Sequence, residues 1–244
     1  MNIFHKVALQ GLKKSRTRTF VTVVGVALSA ALITGVATFA VSLQSYMILG
    51  AASKYGGWHV EIPDADSAYL QSQAVDSRVA GTAALQNIGY AALEGGQNPD
   101  KPYLFLSGWN EEALETLPLQ LLSGRMPRDS SEVLIPAHIA ANGGVKIPVG
   151  STITLQVGSR MKDGQKLSQH DPYCGGEETL VPAQEKTYTV VGICQRPAAE
   201  EFAAPGYTLI TTEDAAAADS LSVFVTLKNP YKVHSYTDGI PDNY

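Results

Sequence analysis

Between Phe20 and Leu43 the chain runs for 24 residues without a charge. At about 1.5 Å rise per residue this stretch makes a helix of roughly 36 Å, enough to cross a hydrocarbon core of about 30 Å. It is apolar on every face, whereas a helix packed into a soluble core is apolar along one stripe. Lys6, Lys13, Lys14, Arg16 and Arg18 precede it, and the first acidic residue is Glu61. Positive flanks stay on the cytoplasmic side, so residues 1–19 are expected inside, 20–45 in the membrane and 46–244 outside. A cleaved signal peptide has an apolar core of only about 7–15 residues with small residues soon after it. Here the small segment Leu49-Gly50-Ala51-Ala52-Ser53 lies too far downstream. The expectation is a cell-membrane protein with one span and a large external part.

The net charge of −5 conceals an asymmetry, because residues 1–19 carry +5 and the remainder −10. An acidic exterior argues against nucleic acid as a partner and leaves the lipid bilayer as the one evident contact. The external part is long enough for a sizeable core. It holds both cysteines, Cys174 and Cys194. An oxidising exterior would allow a bridge between them, and a pair of free thiols is equally open.

Asn2–Lys14 reads as an amphipathic helix, with Ile3, Phe4, Val7, Ala8 and Leu12 on one side and Lys6, Gln10, Lys13 and Lys14 on the other. That pattern suits a helix on the inner membrane surface, or simply a basic flank. Inside the span, Ala27, Ala31 and Gly35 recur every fourth position, as do Gly25 and Ser29. Rows of small residues let membrane helices pack closely. Further on, strands are expected near 56–62, 84–93, 103–107, 132–135, 151–157, 187–193, 207–211 and 222–227. Helices are expected from Asp64 to about Val75, over Glu111–Leu117 behind an Asn110 cap, over Pro136–Asn142, and from Pro230. The polar stretch Met161–Lys186 reads as a long hairpin or flexible loop. Without regular βαβ spacing this is an α+β external domain of two subdomains, the β-rich one inserted at about 120–212.

No nucleophile elbow and no phosphate-cradling glycine loop occurs, so the chain lacks its own ATP site. His170, Asp171, Cys174 and Cys194 match no compact zinc module. No paired carboxylates or other catalytic constellation stands out, and neither enzyme activity nor a cofactor is expected.

Two regions carry a family resemblance. Ala8-Leu9-Gln10-Gly11-Leu12-Lys13-Lys14-Ser15-Arg16-Thr17-Arg18-Thr19-Phe20 and the span after it resemble the first membrane helix of FtsX-like, MacB-type ABC permeases. Leu122-Ser123-Gly124-Arg125-Met126-Pro127, Glu132-Val133-Leu134-Ile135, Lys146–Leu155 and Tyr188–Ile193 follow the run of the MacB-like extracytoplasmic core domain. Gly124 and Gly150 can take turn conformations that a Cβ disfavours. Arg125 could pair with Glu132, and Gly192 closes the motif; these are folding residues. The resemblance implies a permease that couples ATP hydrolysis by a separate cytoplasmic ATPase to its external domain, as a homodimer or heterodimer, for export or mechanotransmission. Such permeases have three further membrane helices, and nothing after Leu43 is apolar enough to be one. The expectation is therefore a truncated permease. The alternative is a single-pass anchored binding or sensor module without an ATPase.

Overall fold

The computed structural model describes residues 15–215, 217 and 219–241, so the amphipathic segment expected at Asn2–Lys14 lies outside the described residues. Residues 1–51 and 52–244 are two separate units. Most of the first is α1 (Arg16–Tyr55), a helix of 40 residues, none of them buried. Ala, Leu and Val dominate it and no proline interrupts it, so the helix continues past Leu43 to Tyr55 before Gly56 ends it. By length and composition α1 is able to cross a membrane. Gly25, Ala27, Ser29, Ala31 and Gly35 are all exposed along it, and the Ser29 hydroxyl donates to the Gly25 carbonyl at 2.9 Å.

The second unit is built on a ten-stranded mixed sheet. Its strands are β1 (Val60–Ala65), β2 (Val79–Ala92), β3 (Tyr103–Trp109), β4 (Leu121–Gly124), β5 (Glu132–Pro136), β6 (Thr152–Lys162), β7 (Gln165–Leu167), β8 (Thr179–Cys194), β9 (Gly206–Thr212) and β10 (Leu221–Leu227). They lie in the order β1-β10-β2-β3-β9-β5-β8-β6-β7, with β4 added beside β8. β3–β9 and β5–β8 are parallel; the remaining pairs are antiparallel. Four short helices decorate it: α2 (Ser67–Ala74), α3 (Glu111–Thr116), α4 (His138–Asn142) and α5 (Val233–Thr237).

The caps explain two of these helices. Asp66 accepts from the Tyr69 N–H at 2.7 Å, and Asn110 accepts from the Ala113 N–H at 2.9 Å, each satisfying a donor that the first helical turn leaves free. β3 is buried along its whole length and β9 nearly so, as a central parallel pair covered on both faces must be. Side chains divide between the faces with period two. Leu104, Leu106, Val133, Ile135, Tyr207 and Leu209 enter one core, while Trp109, Leu134 and Ile210 enter another. A third core gathers at the β1–β10 end, where Tyr69 of α2 and Tyr236 of α5 cover Val60, Ile62, Val223 and Val225.

The structure decides between alternatives that the sequence left open at two places. First, Met161–Lys186 forms the long hairpin: β6 runs to Lys162 and β8 begins at Thr179, pairing from Thr152↔Thr189 to Met161↔Thr179, with a connection over 168–178. Toward its tip β6 carries the buried Arg160 while β8 is half-buried to exposed from Thr179 to Thr187, so the sequence there lacks the apolar alternation that marks a half-buried strand. Second, Cys174 and Cys194 are both free thiols. Cys194 ends β8 and Cys174 precedes its start. At about 3.3 Å per residue the strand separates its ends by roughly 50 Å. The few residues between Cys174 and Thr179 can recover only about 18 Å of that, and a disulfide needs Cα atoms about 5–7 Å apart. Burial pushes the Cys194 thiol up to about 12.

Gly124 and Gly150 give contrasting outcomes for the same substitution. Both are left-handed, with φ of +79° and +89°, but a Cβ on Gly124 would run into the Val191 carbonyl and one on Gly150 would meet nothing. Gly150→Ala is expected to cost about 1 kcal/mol for the backbone conformation alone, and Gly124→Ala about 3 kcal/mol or more. Urea unfolding followed by the fluorescence of Trp58 and Trp109 measures both; equal losses would contradict this packing.

Candidate functional site

The sequence motif assembles around the last turns of β8. Gly192 pairs with Gly124 on one edge and with Leu134 on the other, and a Cβ there would sit 2.8 Å from the Arg125 and Ser123 carbonyls and the Leu134 side chain. Arg125 donates its N–H to the Val191 carbonyl at 3.0 Å. Its guanidinium forms a two-pronged pair with Glu132, with Nη1 at 2.5 Å from Oε2 and Nη2 on Oε1. The Arg128 N–H adds a third bond to that carboxylate at 2.9 Å. The Arg125 pair, then the Arg128 N–H, hold the Glu132 carboxyl down to about 2. Gly150 joins the same strand through its N–H to Val190 at 2.8 Å. Gly124, Arg125, Glu132, Gly150 and Gly192 thus form one structural unit that locks β4 and β5 to β8.

A second constellation, invisible in the sequence, centres on Glu200 in the loop between β8 and β9. Its side chain is fully buried. One oxygen takes Lys101 Nζ at 2.7 Å and His138 Nε2 at 2.8 Å, and the other accepts the Thr208 N–H at 2.7 Å. Lys101 also donates to the Ala204 carbonyl at 2.8 Å, and Arg196 donates to the Glu200 carbonyl at 2.6 Å. Local chemistry positions the partners. Asn98 Oδ1 accepts the Asp100 N–H at 3.0 Å, shaping the turn before Lys101, while α4 starts directly after β5 and carries His138. Burial pushes the Glu200 carboxyl up, but His138 and Lys101 pull it further down, so the group stays ionised. This node forms part of the wall of a cleft of about 540 Å³, with Asn142, Tyr173, Arg196 and Phe202 also lining it.

Two more charged groups pin the neighbouring loops. Arg160, with no exposed surface, donates to both oxygens of Glu178 at 2.9 and 2.7 Å and to the carbonyls of Ser168, Asp171 and Pro172. Tyr90 and Tyr103 place their rings 5.4 and 5.7 Å from its guanidinium carbon. His170 bridges Glu61 of β1 at 3.2 Å and Glu201 at 2.8 Å.

The comparisons with known proteins follow this architecture. The family model of the MacB-like periplasmic core domain matches residues 19–240. The chain belongs to that family. It is thus similar to the periplasmic domain of ABC-type transporter permeases. Among solved structures it is similar to the extracellular domain of the noncanonic ABC-type transporter YknZ from Gram-positive bacteria, at 11% identity and a TM-score of 0.39, covering 70% of this chain and 78% of that one. It is also similar to the periplasmic region of MacB from Actinobacillus actinomycetemcomitans, at 12% identity and a TM-score of 0.35, covering 75% and 69%. No curated protein matches the sequence.

In this member of the MacB-like family the two nodes call for different tests. Removing one partner of a buried pair leaves the other uncompensated, a loss of about 3–5 kcal/mol. Lys101→Met is expected to lower stability by about 3 kcal/mol, and adding Glu200→Gln should restore part of it. Additive losses in urea unfolding would show that the two side chains are not coupled.

His170 predicts a pH dependence. Hydrogen bonding to Glu61 raises its pKa, burial opposes this, Glu201 reinforces it, and the result is about 9. Because the folded value exceeds the unfolded value of about 6.5, the bridge stabilises fully below pH ~6.5 and is lost as pH rises through about 9. Discounted for the half-exposed Glu201, the effect is about 1–2 kcal/mol. A melting-temperature profile from pH 6 to pH 10 should fall for the parent and flatten for His170→Gln; parallel profiles would refute the assignment.

Proposed function

We propose that the chain is the anchored, external-domain part of an ABC permease of the MacB/FtsX type. Its N-terminus lies in the cytoplasm, α1 crosses the membrane, and the sheet-bearing unit stands outside. A separate cytoplasmic ATPase hydrolyses ATP, and the permease, as a homodimer or heterodimer, couples that energy to the external unit for export or mechanotransmission. The observation that carries this reading is one family match running from residue 19 to residue 240, across both α1 and the sheet. Five basic residues before the uncharged stretch support the orientation. This sequence holds no phosphate-binding loop, so in this reading another subunit supplies ATP hydrolysis. The external unit carries no chemistry of its own in this reading. Buried ion pairs at Glu200 and Glu178 suit a body that passes on displacement instead of absorbing it.

The test is to tag the chain at its own locus and purify it from membranes. A co-purifying subunit with the G-x-x-x-x-G-K-[S/T] loop, and ATP hydrolysis by the complex, are the expected results. In a Cys174→Ser background, Ser130→Cys should react with an impermeant maleimide in intact cells and Ser15→Cys should not. Recovery of the chain without any nucleotide-binding subunit would favour the anchored sensor module instead.

A further inference from the structure

The loop between β8 and β9 holds an aromatic ring up in water. Phe202 is 91% exposed, yet the residues around it are fixed. Glu200 is tied to Lys101, His138 and Thr208; Glu201 to His170; and the Ala204 carbonyl to Lys101. The ring therefore cannot relieve its exposure by folding the loop back onto the core. Such a pinned aromatic contributes nothing to stability and is the type of group that anchors a ligand.

The cleft beside it has an imbalance of polar groups. Lys101 is neutralised by Glu200, whose carboxylate also lies 3.7 Å from Arg196 Nε, and Asp100 adds a second carboxylate to the lining. Arg196 spends Nε and Nη2 on the Glu200 carbonyl and lies over the Phe202 ring at 5.6 Å, which leaves Nη1 without a hydrogen-bond partner among the described residues. Asn142 uses its carbonyl oxygen for Tyr207 and Asn98, and Tyr173 packs its ring on Tyr103; among the described residues the Asn142 NH₂ and the Tyr173 hydroxyl have no partner. The unspent donors are thus a guanidinium N–H, an amide N–H and a phenol O–H, beside two aromatic faces, against the single exposed carboxylate of Asp100. Donors in excess next to a cation select an anion, and a planar guanidinium selects a carboxylate.

We propose that this cleft binds a small amphiphilic carboxylate. Its carboxylate sits on Arg196, supported by Asn142 and Tyr173, and its apolar arm lies on Phe202. The site does not depend on whether an ATPase drives the chain. Nothing is transferred; binding is reversible and joins the 195–205 loop to α4 and to the loop before β8.

The experiment uses the full chain in nanodiscs, with N-acetylphenylalanine as probe and its neutral amide as control, read by saturation-transfer NMR against empty nanodiscs. For a ligand this small the expected Kd is on the order of 1 mM. The amide, Arg196→Gln and Phe202→Ala should each weaken binding by at least about tenfold, the loss of a charge-assisted or aromatic anchor. Phe202 is 91% exposed and, among the described residues, touches only the Arg196 guanidinium in an exposed cation–π contact, so Phe202→Ala should melt close to the parent and separates binding from folding. Absence of saturable transfer up to about 20 mM would overturn the site, as would equal binding of the amide or unchanged binding by Phe202→Ala.

Discussion

Backbone pairing along β8 is the constraint on which the rest of the sheet-bearing unit depends. Every N–H and C=O of a strand must find a partner where water is excluded. β8 meets this by changing partners along its length. On one edge β6 takes Thr179–Thr189 and β4 then takes Cys194 to Gly192; on the other, β5 takes Thr189–Cys194. At Gly192 three strands meet with room for no side chain. Gly124 turns the chain there, and the Arg125–Glu132 pair fixes the turn to the start of β5. From β5 the sheet continues through β9 and β3 to β2, so an error at Gly192 would misplace the central parallel pair as well.

Buried charge then decides where the loops lie. Hydrophobic burial holds the strands but cannot specify the polar connections, whose backbone would otherwise be free to move. Glu200 gathers donors from Lys101 and His138, far apart in sequence, and Arg160 gathers acceptors from Ser168 to Glu178 within its own hairpin connection. An ion buried with several hydrogen bonds tolerates few alternative arrangements, because each alternative strands a charge. The unpaired, buried His138 Nδ1 is the cost of that arrangement at the Glu200 node.

How much of this was legible in the sequence follows the reach of each interaction. The Asp66 and Asn110 caps act within three residues; the helix expected at Glu111 lies there, while the one expected from Asp64 starts at Ser67, because Asp64 belongs to β1 and Asp66 is the cap. The buried strands β3, β5, β9 and β10 announce themselves by apolar runs. The Gly124–Gly192 motif was legible through its resemblance to a family pattern, and its physical reason emerged only when Gly192 met Arg125 and Ser123. β4 was missed, since Leu121-Leu122-Ser123-Gly124 is exposed and becomes a strand only because β8 offers it an edge. The outer β6–β8 hairpin was legible as one of two alternatives, a long hairpin or a flexible loop, and its strand pairing decides for the hairpin. The Glu200 node was illegible: Lys101 lies 99 residues and His138 62 residues from their common partner. A charge flanked by Ala198, Ala199 and Phe202 was the only hint.

The placement of the two cysteines has a use beyond ruling out a bridge. One thiol is sealed under β5, where it donates to the Ile135 carbonyl and resists ionisation; the other is partly exposed beside the turn before β8. Reagents that need a thiolate will therefore find one address per molecule. That address lies next to the Arg160–Glu178 staple, since the Cys174 N–H bonds Glu178 at 2.9 Å. A spin label or fluorophore attached there would report on the sheet-bearing unit of the native sequence, and in a dimer would give one distance between two equivalent points.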